Sequence, residues 1–458
     1  MQRPNHRHQA WRQVATLLLV TGLVAAACGD DDGPAATTDG TAAEEPTSAD
    51  ETPADEATTE EATEVASSPE AAGPPPEAPG FDGDTIKLGY LTDQTGPLAI
   101  VGGPLLAGSQ AYWNWVNEEL GGVGGRYKVE LVAGDTKDDE ATTVQEFQRI
   151  KDDVVMIAEI LSTPPTQALV EFLNEEQMIG VPGSLAAQWN KEANLLPNGT
   201  AYEFEMVNLA DWYVNQSDIG SAEDVACAVH VSDKYGEDTL RGVEYAAEQL
   251  GFELASVQTI ARGDTDFTAQ ITALSDAGCE VVYSITVPRE QNGLLATANA
   301  QGFAPVWLGA LPSYINLLAS GDNAQLYENF YIALDTPGLE RTDVPGMADF
   351  LDRFATFGGG GDPSTFHLSG YFQSISVHAL LEAAVARGDL SRDGLLAAYA
   401  ELGEVDTNGL ADNYIYGLPE DRVPASASRI FKFDATVAPN LLTEVGQVES
   451  ELIAGFEY

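Results

Sequence analysis

From residue 81 onward, short apolar runs alternate with longer stretches in which apolar positions recur at helical spacing. The short runs are TIKLGYLT, YKVELVAGD, VVMIAEIL, MIGVPGS, DVACAVHV, FELASVQTI, EVVYSITV and APVWLGA. Between most of them lie SQAYWNWVNEEL, TTVQEFQRI, GEDTLRGVEYAAEQL and DFTAQITALSDAG. Near-continuous apolar runs suit strands covered on both faces, and their alternation with helical stretches predicts an α/β fold of parallel sheets flanked by helices. Thr143 with Glu146 fits a capping box at the start of one helix. The pattern occurs twice, over about 81–208 and 209–335. It is followed by the helical stretches GMADFLDRFATF and TFHLSGYFQSISVHALLEAAVARG and the strand-like RIFKFD. The expectation is an N-terminal lobe of 81–208 plus about 336–422 and a C-terminal lobe of 209–335 plus about 423–458. A cleft between two such lobes is a natural ligand site and hinge.

The first 28 residues read differently. Arg3, Arg7 and Arg12 precede the apolar VATLLLVTGLVAAA, which has signal-peptide length and is short for a spanning helix. The AAAC that follows resembles a lipobox, with Ala25 where Leu is commonest, and makes Cys28 the expected lipidation site. Residues 29–80 contain no Lys, Arg or aromatic residue and are expected to form a disordered acidic tether. Its mean reach is roughly 40 Å. An acidic interaction tail is the other reading of this segment. The expected location is extracytoplasmic, on the outer face of a bacterial cell membrane. Formal net charge is -51, from 21 Lys+Arg against 72 Asp+Glu, which argues against a nucleic-acid partner. Cys227 and Cys279 each lie near the start of a strand in one lobe. Outside the cytoplasm a disulfide between them is permitted. Two buried thiols are the alternative, because bridges between neighbouring parallel strands are geometrically difficult.

In open parallel sheets ligands bind outside the carboxyl ends of the strands. That rule selects Asp93–Pro97, Ser162 with Thr163, and Ser184–Ala186 in the first lobe, and Ser232–Tyr235, Thr286–Arg289 and Leu311–Tyr314 in the second. Within ILSTPPTQ, Ser162 and Thr163 are good N-cap types and the prolines suit a first helical turn. A helix N-terminus there attracts a carboxylate; a cap with no ligand fits the same residues. GGVGG at 121–125 follows a helix, the reverse of a dinucleotide fingerprint, and there is no G-x-S-x-G elbow or P-loop. His230, His367 and His378 lack metal-ligand spacing, and His230 reads as a core residue. Asp264 and Asp266 read as turn and cap residues. No catalytic residue, metal or cofactor is expected, and the chain reads as a binding protein rather than an enzyme.

The segments IKLGYLTDQTGPLA, GGVGGRYKVELVAGD, ILSTPPTQALVEF, DKYGEDTLRGVEYAAEQLG, GDTDFTAQITALSDAGCEVVY and GYFQSISVHALLEAAVARG stand in this order from 84 to about 400. Together they resemble the branched-chain amino-acid-binding (Leu/Ile/Val-binding-like) family of ABC-transporter solute-binding proteins, with the type I periplasmic-binding fold. The resemblance implies two Rossmann-like lobes joined by a multi-strand hinge, a monomer, and delivery of a small polar solute (amino acid, organic acid or amide) to a permease. A sensor lipoprotein and a secreted hydrolase are the rival readings. The resemblance also assigns residues. Ser162 and Thr163 match the position that binds the α-carboxylate, and Ser184 and Ala186 match the next loop. Asp211 matches an acid at the start of the second lobe. Tyr235 packs over the ligand, and Thr286 falls where an aromatic often lies. Leu311 falls where amino-acid-binding members carry an acid for the ammonium. A buried ammonium without that partner costs about 3–5 kcal/mol, which favours a carboxylate lacking the amine, an amide or urea, or an aromatic acid. Arg289 is a further candidate for a positive contact.

Overall fold

A four-stranded parallel sheet, ordered β2-β1-β3-β4, forms the first lobe. Its elements are β1 (Thr85–Thr92), α1 (Ala99–Glu119), β2 (Lys128–Asp135), α2 (Glu140–Ile150), β3 (Met156–Ile160), α3 (Thr163–Glu175) and β4 (Gly180–Pro182). The computed structural model describes residues 73–458. The leader with Cys28, and the expected tether as far as residue 72, lie outside the described residues. The end of the tether stretch already belongs to the body. Phe81 N donates to Ala78 O at 2.8 Å, Lys87 N to Gly80 O at 2.8 Å, and Phe81 is buried.

The second lobe contains α4 (Tyr202–Asp211), β5 (Ala226–Val231), α5 (Lys234–Leu250), β6 (Leu254–Ile260), α6 (Thr268–Asp276), β7 (Val281–Ile285), α7 (Pro288–Gln301), β8 (Val306–Gly309) and β9 (Phe330–Leu334). The chain then returns to the first lobe as α8 (Pro345–Phe357), α9 (Thr365–Arg387) and α10 (Arg392–Ala400), followed by a small ribbon of β10 (Gly403–Val405) and β11 (Tyr414–Tyr416). It ends in the second lobe as β12 (Ser428–Phe433) and β13 (Leu442–Val448). The second sheet has seven strands, ordered β13-β12-β9-β8-β7-β5-β6. Strands β5 to β9 run parallel, and β12 and β13 add antiparallel to the far edge. Interior strands such as β3, β5 and β7 are buried at every position, whereas the edge strand β6 alternates.

The first crossing comes earlier than 208. Helix α4 packs against α5, β9 and β12, and Met206, Val207 and Leu209 join the second-lobe core. The crossing segments are tied together near residue 200: Thr200 pairs with Ala425, and Asn208 Nδ2 donates to Ser426 O at 2.7 Å. The expected capping box is also displaced. Helix α2 begins at Glu140, so its cap is Asp139, whose carboxylate accepts from Thr142 N at 2.7 Å. Thr143 lies inside the helix and donates its hydroxyl to Asp139 O, and Glu146 pairs with Arg149.

Two helices of the first lobe matter for the site. A Cβ on Gly108 of α1 would fall 1.9 Å from His367 O, and one on Gly370 of α9 would fall 1.9 Å from Leu105 O. The two backbones therefore touch where their N-terminal turns face the second lobe. Cys227 and Cys279 form a disulfide with Cα atoms 5.8 Å apart. Cys279 sits in the turn after α6, just before β7, so the bridge joins a strand to a turn and not two paired strand positions.

Candidate ligand cleft

A cleft lies between the lobes. Its walls are mostly apolar. Leu98, just before α1, and Val101 and Leu105 within it line one side, with Phe366 and Phe372 from α9 and Leu161 and Leu185 from beyond the ends of first-lobe strands. The second lobe adds Val287, Pro288, Leu311 and Pro312. The DQTGP loop sets the position of Leu98. The Asp93 carboxylate accepts from Leu98 N at 2.7 Å and from Gly96 N at 2.5 Å, while Asp135 accepts from Gln94 N at 2.9 Å.

Ser162 and Thr163 line the cleft at the corner between β3 and α3. Ser162 does not cap the helix: it adopts φ 81 and ψ 150, and its side chain makes no cap bond. That region of backbone space is nearly confined to glycine and costs on the order of 1–3 kcal/mol. The buried hydroxyl of Ser162 has no hydrogen-bond partner of good geometry among the described residues. The Thr163 hydroxyl pairs with Ser184 Oγ at 2.7 Å, and Ser184 Oγ accepts from Trp189 Nε1 at 3.1 Å. The two prolines have a chemical consequence as well as a steric one. A helix start normally exposes several free N–H groups. Pro164 and Pro165 have none, so this corner offers the cleft the Thr163 N–H, the hydroxyls and the helix dipole.

Tyr202 and Tyr235 meet edge to face across the second-lobe side, with centroids 5.1 Å apart, and both line the cleft. Tyr235 OH donates to Thr286 O at 3.2 Å. Leu311 also lines the cleft, and its N–H donates to Glu205 Oε2 at 3.4 Å. The other expected site residues lie outside the lining. Ala186 is packed in the core under α3. Ser184 acts behind Thr163, and the buried Thr286 hydroxyl donates to Gln291 Oε1 at 2.7 Å. Asp211 closes α4 and accepts from Asn215 Nδ2 at 2.8 Å. It is nine residues beyond Tyr202, about 13 Å along the helix. Arg289 is exposed.

The cation in the cleft wall is Arg262, two residues past β6. Its guanidinium donates to Asp138 of the first lobe at 3.1 Å and to Asp233 of the second lobe. Burial alone depresses the Arg262 pKa, but the two carboxylates overcome this and raise it. Burial likewise raises the Asp138 pKa against the pull of Arg262. Asp138 is placed by the loop after β2, where Lys137 and Asp138 take φ 56 and φ 53. The neighbouring Asp264 and Asp266 carboxylates serve the Ala261 and Thr268 N–H groups as turn and cap.

Asp335, at the end of β9, lines the cleft from the hinge. Burial pushes its pKa up to about 6 and that of Glu203, in α4, to about 7. Both groups therefore favour their protonated forms in the fold. Their contribution to stability is full below the ordinary carboxylate range and is lost as pH rises through about 6 to 7. Thermal melts of the protein without solute should show a higher Tm at pH 5 than at pH 8, and Asp335→Asn should reduce that difference. A Tm independent of pH over this range would contradict these placements.

Residues 85–437 match a family model described as periplasmic binding protein. The chain belongs to this family of non-enzymatic solute-binding proteins. A curated relative from Pseudomonas aeruginosa is a leucine-, isoleucine-, valine-, threonine- and alanine-binding protein, 25% identical over 230 residues. The match covers 49% of this chain and 60% of that relative's length. A solved fatty acid ABC transporter substrate-binding protein from Thermomonospora curvata superposes with a TM-score of 0.77 at 26% identity, covering 84% of this chain and 98% of its own. A branched chain amino acid ABC transporter protein from Thermus thermophilus with bound valine has a TM-score of 0.72 at 19% identity, covering 81% and 98%. This last likeness shows the fold: two largely parallel sheets flanked by helices, as in type I periplasmic binding proteins.

Proposed function

We propose that the chain is the extracytoplasmic solute-binding component of an ABC importer, and that its cleft takes a small carboxylate with an apolar body. The observation that carries this is the composition of the cleft: apolar walls from both lobes, and a hydroxyl corner at Ser162 and Thr163 where α3 begins. The solutes in the names of the relatives, amino acids and fatty acids, share a carboxylate on an apolar group. The Ser162 hydroxyl, held in a costly conformation near the Asp138 carboxylate and without a hydrogen bond of good geometry among the described residues, is the first donor for that carboxylate. Thr163 is the second, through its N–H and hydroxyl. Delivery to a permease follows from this role. Anchoring through a lipid on Cys28 rests on the sequence alone, and a Cys28→Ser chain should appear in the soluble fraction of the producing cells. Retention of that variant in the membrane fraction would count against the anchor.

The test of the binding role is thermal unfolding and titration calorimetry against amino acids, alkanoates and aromatic acids. A solute at 100 times its Kd should stabilise by about 2.7 kcal/mol. The Ser162→Ala/Thr163→Ala double variant should bind at least about 10-fold more weakly, since hydrogen bonds to a charged group contribute about 1.5–3 kcal/mol each. Unchanged affinity would remove both residues from the site.

A further inference from the structure

A second groove lies on the same seam between the lobes. Ile100 and Pro104 of α1 wall it on the first-lobe side, and Ile315, Leu317, Pro439 and Leu441 on the second-lobe side. It is built from elements that also wall the cleft. On α1, Val101 and Leu105 line the cleft, and Ile100 and Pro104 line the groove. Around the start of α9, Phe366 lines the cleft, and Ser364 and His367 line the groove. The chain after β8 gives Leu311 and Pro312 to the cleft and Ile315 and Leu317 to the groove. One hydrophobic cluster runs through both: Val101, Leu105, Phe366 and Ile315 belong to it, and Ile100, Leu311 and Leu441 pack against it. The polar side chains of the groove are engaged within it. Ser364 Oγ pairs with His367 Nδ1 at 2.8 Å, Asn316 Nδ2 donates to Pro439 O at 2.8 Å, and Ser320 Oγ donates to Leu317 O at 2.9 Å. What the groove offers a ligand is therefore mainly hydrocarbon. Leu317 is 66% exposed there, the highest value for a large apolar side chain among the described residues. Burial lowers the His367 pKa to about 4, so the charge that lines the groove at neutral pH is the exposed carboxylate of Asp362.

We infer that this groove receives the distal end of a hydrocarbon chain, so that the solute is a long-chain alkanoate lying along the seam from the Ser162–Thr163 corner towards Leu317. This rests on the carboxylate reading above and narrows it. The charges of the seam set the direction of the chain. The hydroxyl corner offers donors to a carboxylate at the cleft end, and Asp362 repels one at the groove end. Both lobes contribute walls to the cleft and to the groove, so closure covers the chain along its length. The chain in turn takes Leu317, Ile100 and Leu441 out of water, and each methylene it buries strengthens binding by about 4-fold. A short solute that fills only the cleft leaves the groove wet and its apolar walls exposed.

Calorimetric titration with octanoate and tetradecanoate, the latter below its aggregation concentration, tests this, with leucine and phenylacetate as short references. In the native protein tetradecanoate should bind one per chain, and at least about 100-fold more tightly than octanoate, because its additional methylenes leave water in the groove. Leu317→Asp should narrow that preference to within about 10-fold, because it sets a charge against the end of the chain. Leu317 is exposed, so its replacement spares the core, and Ile100→Glu gives an independent reading from the first-lobe wall. Octanoate binding as tightly as tetradecanoate would overturn the inference and leave the proposed function standing. Binding of leucine or phenylacetate with neither alkanoate would do the same. A preference that survives Leu317→Asp and Ile100→Glu undiminished would also overturn it, as would tetradecanoate binding that ignores Ser162→Ala/Thr163→Ala. Failure of all four solutes to bind would overturn the carboxylate reading, and the inference with it.

Discussion

Methionine in place of Arg262 should weaken solute binding by roughly 100-fold, about 2.7 kcal/mol. In the structure this one guanidinium ties Asp138 of the first lobe to Asp233 of the second. Removing one partner of a fully buried charge pair costs about 3–5 kcal/mol. The Arg262 side chain keeps 18% exposure, so the lower part of that range applies. The loss should fall mainly on the form in which the lobes meet through Arg262, as they do here. When the lobes separate, Asp138 and Asp233 recover water, whereas closure without Arg262 brings two carboxylates together. The Tm of the solute-free protein should therefore change less than the affinity. Arg262→Met combined with Asp138→Asn should recover part of the lost affinity, because it removes the repelling charge. Calorimetry on the two variants checks this, and equal affinity of native protein and Arg262→Met would refute the account of closure.

Replacing Cys227 and Cys279 together by alanine should lower stability by about 4 kcal/mol, from the loss of a cross-link closing a 52-residue separation. The bridge ties β5, which lies next to the edge strand β6, to the turn that feeds β7, so it constrains that side of the second sheet. Both cysteines are buried in the second-lobe core, and the two alanines also remove packing volume. Chemical denaturation of the native, reduced and double-alanine proteins separates the contributions. The reduced protein should lose most of the 4 kcal/mol, and the alanines should add a smaller increment. A reduced protein as stable as the oxidised one would contradict this.

The strands that carry helices on both faces were legible because nearly every position in them is apolar, as in β3 and β7, where Glu159 and Ser284 are the exceptions. Others were hidden by their surroundings. Helix α4 is buried all round, yet it carries Glu203 and Glu205, and those acids mask a core helix in the pattern. Strand β13 alternates at the edge of its sheet, and β9 is a five-residue run that follows a long irregular stretch. Missing β9 concealed Asp335, because the rule that selects residues at strand carboxyl ends needs the strand first. The ILSTPP corner was visible, but the backbone of Ser162 was not: nothing in the sequence marks a serine that will take positive φ. Arg262 meets Asp138 across 124 residues, and no local pattern reports a contact of that range. Leu311 lines the cleft as an apolar residue, and the acid in the cleft wall, Asp335, comes from the end of β9.

The most direct measurement is mass spectrometry of solute carried by the natively purified protein and released by denaturation, with titration of the stripped protein by the compound found. A small carboxylate with an apolar body, bound less tightly by Ser162→Ala/Thr163→Ala, is the expected result. A solute without a carboxylate, or one whose affinity ignores those two residues, would contradict the assignment of this cleft.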